Sequence, residues 1–289
     1  METGSIIVSK FRGKSTVTRC FSKYPLKLIV PNKACARAVD CAWIYSLTYG
    51  GGIVSGDSIL CNFIVEDGCT AVLTTQASTK VFKSIGSKWS EQILEVRVGH
   101  EALLVVIPDP VTCFAAARYS QKQVFRVSSE SNLLLVDWFS SGRYESGERW
   151  AFDSYRSTNY IYEDDEPLFL DTVLLTQGIG SSISQRMHDY QIIAMVVILG
   201  PKLGNLRKQI QENVKSFISS SFQVKLGTPM LKSKFSPTKP NFVASCSTFG
   251  PQGAGLIVRV AAMTTESVYQ FLRLQLASLE PFVGAFPYS

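Results

Sequence analysis

The sequence predicts a mainly β protein with about two α-helices in its C-terminal third, organised as a single domain over residues 1–289. Three observations carry that prediction. Short runs rich in β-branched and aliphatic residues recur along most of the chain. Gly, Pro, Asp and Ser punctuate them at close intervals, the rhythm of an all-β domain rather than of alternating β and α units. Only late in the chain does an apolar spacing of three and four residues appear.

In chain order, residues 25–30 (PLKLIV), 59–65 (ILCNFIV), 69–76 (CTAVLTTQ), 92–98 (QILEVRV) and 102–107 (ALLVVI) read as strands. So do 124–127, 133–139 (LLLVDWF), 168–175, 192–199 (IIAMVVIL) and 256–262. Glu66-Asp67-Gly68 reads as a hairpin turn between two of them. LLLV and IIAMVVIL are continuously apolar, which predicts burial on both faces. IIAMVVIL is far shorter than the roughly 20 residues that span a bilayer, so no membrane association is expected.

Over residues 203–218, Leu206, Ile210, Val214 and Phe217 form one apolar stripe, with Lys208, Glu212 and Lys215 off it. Over 265–279, Val268, Leu272, Leu276 and Leu279 repeat the pattern, and Pro281 stops it. Residues 232–240 read as a loop. No internal repeat or low-complexity linker divides the chain.

Hydrophobic residues at 46% against charged residues at 18% exclude a disordered chain. The N-terminus lacks the charged-then-apolar plan of a secretory signal. Seven scattered cysteines (Cys20, Cys35, Cys41, Cys61, Cys69, Cys113, Cys246) contain no C-x-x-C pair, which argues against a disulfide framework or a zinc site. Cys61, in an apolar run, reads as a small buried hydrophobe. These features together predict a soluble, cytoplasmic protein. The net charge of +6 is uneven: residues 202–239 hold eight basic residues and one acid, Glu212. That segment suits docking to a charged protein surface, a solvated helix face, or nucleic acid. No recognition helix, RNA-binding aromatic motif or zinc finger accompanies it, so nucleic acid is not expected as a partner.

The stretch LTYGGGIVSGDS contains G-x-x-x-x-G-D-S from Gly51 to Ser58, one residue from a phosphate-loop pattern. Asp57 stands where that loop needs a lysine, and a strand rather than a helix follows. The glycines are instead expected to supply positive φ or close approach of two strands.

Chemistry-bearing residues are sparse. Only His100 and His188 are present, neither beside a nucleophile, and no H-E-x-x-H or G-x-S-x-G occurs. A permanent transition-metal site or bound cofactor is therefore not expected from this chain alone. Two polar clusters stand out: Thr74 to Lys80 (TTQASTK) and Ser140 to Trp150 (SSGRYESGERW). Asp57 and Glu148 are candidates for paired acid–base work, or for ion pairing with Arg143 or Lys80.

Taken together, GGGIVSGD, TTQASTKVF, PDPVTCF with Tyr119-Ser120-Gln121, SGRYESGERWAF and GPKLGNL resemble, in order, the urease accessory protein UreD (UreH) family. YPLKLIVP and GLIVRVAA fit the same scheme, so the resemblance spans about residues 25–276. It implies a β-helix-like stack of short strands and a non-catalytic scaffold. Such a protein binds apo-urease and joins UreF and the GTPase UreG in GTP-dependent delivery of Ni²⁺ to the carbamylated lysine centre of urease. GTP would then belong to the partner, and nickel would only pass in transit. A water-filled nickel passage is implied too, with Asp57, Thr75, Gln76, Lys80, Arg143 and Glu148 in the matching motifs. The C-terminal Ala285 to Ser289 departs from the Pro-Arg-hydrophobic-Trp ending of many bacterial members. A cytosolic β-helical hydrolase using an Asp/Glu pair is the alternative.

Overall fold

The computed structural model describes residues 2–31, 39–178, 180–226 and 240–288, the side chains of 220–226 excepted. Cys35 and the expected loop up to Lys239 lie outside the described residues. An N-terminal hairpin, β1 (Gly4–Phe11) and β2 (Lys14–Ser22), precedes β3 (Leu26–Ile29) and β4 (Ala42–Thr48). The chain then winds through β5 (Ser58–Val65), β6 (Thr70–Thr75), β7 (Thr79–Val81), β8 (Ser90–Val98), β9 (Leu103–Ile107) and β10 (Val111–Cys113). It continues through β11 (Arg118–Val127), β12 (Asn132–Ser140), β13 (Ser154–Glu163) and β14 (Glu166–Thr176). After α1 (Ile183–Met187) come β15 (Ile192–Leu199), α2 (Gly204–Leu226), β16 (Phe242–Phe249), β17 (Gly255–Ala262), α3 (Thr265–Leu276) and α4 (Glu280–Val283).

The winding is a β-solenoid. β5, β8, β11 and β13 stack in parallel in one sheet, and β4, β6, β9 and β12 stack in parallel in the other. Each coil crosses from one sheet to the other, so β4–β5, β6–β8, β9–β11 and β12–β13 make about four turns. Antiparallel strands finish both sheets: β2 and β14 edge the first, while β15, β17 and β16 extend the second.

Three layers follow from side-chain alternation. On β9, Leu104 and Val106 enter the core between the sheets, whereas Leu103, Val105 and Ile107 enter a second core beneath α2 and α3. On β15, Met195, Val197 and Leu199 take the first core, and Ala194, Val196 and Ile198 the second. Strands covered on both faces have no polar side to show, which is why they read as unbroken apolar runs. β5, covered on one face, alternates buried Ile59, Cys61, Phe63 and Val65 with half-buried Leu60, Asn62 and Ile64. Burial holds the Cys61 thiol up at about 12, consistent with its reading as an unreactive hydrophobe.

Both expected helices are present with shifted ends. α2 runs eight residues past the expected residue 218, to Leu226, and the next residues are the breakers Gly227 and Pro229. Leu206, Ile210 and Val214 are buried as its stripe predicts, but Phe217 is 41% exposed and meets Phe242 edge-on at its margin. α3 ends at Leu276, and a 3₁₀ turn (Ala277–Leu279) carries the stripe on to buried Leu279. Pro281 sits in the first turn of α4 rather than terminating the structure.

Glu66-Asp67-Gly68 is not a hairpin turn. It carries the chain from β5 in one sheet to β6 in the other, and the two strands do not pair. A short turn between two apolar strands looks alike in sequence whether the second strand pairs with the first or stacks across from it. All such corners on this rim are short: residues 66–69, 99–102 and 128–131. The opposite rim, at the N-terminal ends of β5, β8, β11 and β13, carries the long loops, including both polar clusters.

Candidate functional site

The glycine-rich loop packs against β7. Ile53 N donates to Lys80 O at 2.8 Å and Phe82 N donates to Ile53 O at 2.9 Å. A Cβ at Gly52 would lie 2.8 Å from Lys80 O and 2.7 Å from the Phe82 ring, so close strand approach requires glycine there. Gly56, at φ +89°, supplies the left-handed turn residue. Asp57 closes this turn: its Oδ2 accepts from Val54 N at 2.9 Å, its N donates to Val54 O, and its own carbonyl accepts from Glu91 N. Its carboxylate is thus engaged with backbone N–H, a common fate of turn Asp residues.

Above this loop, the long-loop rim holds a cavity of about 1330 Å³. Lys80, Thr112, Ser140, Arg143 and Gln191 are among its walls. Arg143 forms a fork with Glu148, donating from Nε to Oε2 at 3.0 Å and from Nη2 to Oε1. Its guanidinium also stacks 4.2 Å from the Phe114 ring centre. Glu148 additionally accepts from Ala115 N at 3.3 Å. Hydrogen bonds from Arg143 hold the Glu148 carboxyl below its usual range. Glu148 is therefore an ion-pair partner that ties the 141–153 loop to the β10–β11 corner.

Thr75 and Gln76 line a smaller chamber of about 160 Å³, which shares Gly51 and Ser78 with the rim cavity. Thr75 Oγ1 donates to Asp109 Oδ2 at 3.1 Å and accepts from Asp109 N at 2.8 Å. The other Asp109 oxygen accepts from the Tyr269 hydroxyl at 2.6 Å. A third space, about 70 Å³, lies between the sheets and shares Thr75, Thr79 and Gln92 with the second.

Asp137 faces this innermost space, and sequence reasoning passed over it. The register Leu133, Leu135, Asp137, Phe139 puts a carboxylate at an inward position of β12. Three donors reach it from the opposite sheet: Ser157 Oγ and Asn159 Nδ2 at 2.7 Å, and Gln121 Nε2 at 3.1 Å. No cation pairs with it among the described residues. Desolvation pushes its carboxyl above the usual range, with those three hydrogen bonds opposing the shift. The available signal was an acid inside an otherwise unbroken apolar strand, LLLVDWF. The structure thus brings Thr75, Gln76, Lys80 and Arg143 onto one run of adjoining cavities, while Asp57 and Glu148 hold turns beside it.

Both histidines are exposed at turns, His100 with its backbone N donating to Asp67 and His188 ending α1. Among the described residues no group of three His, Cys, Asp or Glu side chains converges as a metal site, and no helix is long and apolar enough to cross a membrane.

Comparison with known proteins fits this architecture. The sequence profile of the family described as UreD urease accessory protein matches residues 3–288. A urease accessory protein D of Arabidopsis thaliana is 60% identical over 294 residues, covering 100% of both chains. The urease accessory protein D of Oryza sativa subsp. indica is 55% identical, covering 99% of this chain and 95% of its own. A urease accessory protein UreD of Anaeromyxobacter sp. (strain Fw109-5) is 34% identical, covering 99% and 88%. The chain belongs to the UreD family of urease accessory proteins, factors of urease maturation rather than enzymes.

Proposed function

We propose that this chain binds apo-urease and, with UreF and the GTPase UreG, supports GTP-dependent insertion of nickel in the cytoplasm. Nickel is cargo in this reading and GTP stays on the partner. The observation that carries it is the succession of three adjoining cavities, each with polar side chains in its walls, from the long-loop rim to Asp137. Their walls offer hydroxyl, amide and carboxylate oxygens and no imidazole, and the one thiol among them, Cys61 in the innermost space, is kept protonated by burial. Hard, scattered oxygen donors suit brief contacts with a hydrated divalent ion, whereas converging Cys or His ligands would trap it. Thr75, Gln76, Lys80 and Arg143 stand along this succession, and Asp137 supplies the carboxylate at its inner end. Asp57 and Glu148 support the loops that shape its mouth.

Urease activation tests the reading directly. Apo-urease, UreF and UreG are incubated with Ni²⁺, bicarbonate and GTP, with and without this chain, and urease-bound nickel is measured. Activation that depends on the chain, together with co-purification of the four proteins, is the expected result. Failure of the folded chain to bind either urease or UreF would overturn it. For the route itself, Asp137→Asn is expected to lower nickel loading while the complex still assembles. Normal loading by that variant removes Asp137 from the path.

A further inference from the structure

Among the described residues, β14 edges the seven-stranded sheet and pairs only with β13. It is eleven residues long, and its side chains alternate strictly over its second half. Phe169 packs on Phe249 and Asp171 on Arg259, both toward the second sheet. Leu170, Thr172, Leu174 and Thr176 face solvent, Leu170 with 61% and Leu174 with 50% of its surface exposed.

Soluble proteins normally guard such an edge with lysine, proline, a bulge, an inward charge or shortness. Pro167 and the register shift at Ile161/Tyr162 guard only the first residues. From Phe169 onward β14 has no lysine, proline or bulge. Its single charge, Asp171, is neutralised within the chain by Arg259. The edge is thus a long template, uncharged but for the neutralised Asp171, whose second row of backbone groups has no strand partner among the described residues.

The residue pattern selects what covers it. We propose that β14 pairs antiparallel with β14 of a second copy of this chain, about a twofold axis at Thr172. In that register Leu170 lies opposite the second copy's Leu174, Thr172 opposite Thr172, and Asp171 opposite Val173. The central outward pairs, Leu170 with Leu174 and Thr172 with Thr172, are then aliphatic on aliphatic and threonine on threonine, pairings that stabilise sheets. A register centred on Asp171 would oppose two carboxylates, and one centred on Val173 would place Asp171 opposite Leu175. The ends are complementary as well. Asp164, Asp165 and Glu166 flank the start of β14, while the Arg186 guanidinium donates to the carbonyl of Thr176 at its finish. Antiparallel pairing brings the acidic end of one copy beside the basic end of the other. Within each chain Thr158 lies opposite Thr172 across β13 and β14, so a ladder of four threonines would cross the axis. The interface is isologous, as a closed C2 dimer requires.

Sedimentation equilibrium of the full chain and of Thr172→Lys and Thr172→Glu tests this. Thr172 is exposed, so both variants retain the fold, checked by circular dichroism. The wild type is expected at twice the chain mass and each variant at the single mass. An equimolar mixture of the two variants is expected to return to the double mass, because opposite charges then meet at the axis. In addition, Thr172→Cys is expected to give a covalent dimer on oxidation beyond any that the native cysteines give. Opposed Cα atoms of an antiparallel pair stand about 4.5–5.5 Å apart, within disulfide range. A wild type of single mass, or a dimer unaffected by Thr172→Lys, overturns the proposal. A monomeric wild type whose binding to UreF or urease is lost in Thr172→Lys overturns it too, and assigns the edge to that protein.

Discussion

Asp137 on β12 and Ser157 on β13 face each other across the interior, the serine hydroxyl donating to a carboxylate oxygen at 2.7 Å. This contact and its two companions bind the sheets through a carboxylate that has no cation beside it among the described residues. Burial raises the Asp137 carboxyl above its ordinary 3.8, so the folded chain holds the proton more tightly than the unfolded chain. The stability contributed by this group is complete below 3.8 and is lost as pH rises through the raised folded value. The unfolding free energy of wild type relative to Asp137→Asn is therefore expected to fall as pH is raised from the acidic side. Its slope is at most about 1.4 kcal/mol per pH unit for one group. Urea titrations at several pH values measure it, and a flat difference would mean that Asp137 titrates alike in both states.

Glu148 carries the opposite sign. Hydrogen bonds from Arg143 lower its carboxyl below the ordinary 4.5, so the stabilisation is present above 4.5 and disappears as pH falls through the lowered value. The Arg143 side chain is 47% exposed, and solvent screening keeps the gain small. Glu148→Gln is expected to lower the thermal midpoint slightly at neutral pH and not at all in acid. Equal losses at both pH values would show that Glu148 acts through packing.

Gly51 and Gly52 are adjacent yet differ in what they forbid. A Cβ on Gly51 meets nothing within 4 Å, and the cost of alanine there comes from φ +76° alone, about 1 kcal/mol. At Gly52 the Cβ strikes a backbone carbonyl, Lys80 O, which cannot turn away without moving β7. Gly52→Ala is expected to cost roughly 1–3 kcal/mol in chemical denaturation, more than Gly51→Ala. Equal costs would show that β7 yields freely.

That contrast marks what the residue pattern reveals and what it hides. The need for glycine rather than for phosphate was legible from Asp57 and the following strand; which glycine touches which strand depended on the coil bringing β7 alongside. Strands buried on both faces announced themselves as LLLV and IIAMVVIL. β13 (SYRSTNYIYE) did not, because Ser157 and Asn159 point inward to Asp137 and break the apolar alternation. β2 gave no apolar run because it is an edge strand with mostly exposed or half-buried residues, and in β1 the Ile6-Ile7-Val8 run is only three residues long between Ser5 and Ser9. The same long-range pairing explains the candidate site. Thr75 and Gln76 were visible as a polar exit from a strand, but Asp137 gains its character from donors 16, 20 and 22 residues away in sequence.

Tyr288 anchors the C-terminal tail against this structure. The Tyr288 hydroxyl donates to Pro108 O at 3.0 Å, and its ring stands edge-on to Trp138 and Tyr269 with centroids 6.1 and 5.8 Å away. Arg273 Nε donates to the Tyr288 carbonyl at 2.6 Å, fixing the tail to α3. Pro108 O also accepts from Trp138 Nε1 at 2.7 Å, so removing the Tyr288 hydroxyl leaves that carbonyl satisfied. Tyr288→Phe is therefore expected to cost only about 0.5–1 kcal/mol. Tyr288→Ala removes the ring as well and is expected to cost roughly 3 kcal/mol, the low end for deleting a buried aromatic side chain. Because Pro108 and Trp138 both border the innermost cavity, the larger loss should appear with increased solvent quenching of Trp138 fluorescence. Equal, small losses for both variants, with unchanged quenching, would show that the tail rests on the surface without sealing it.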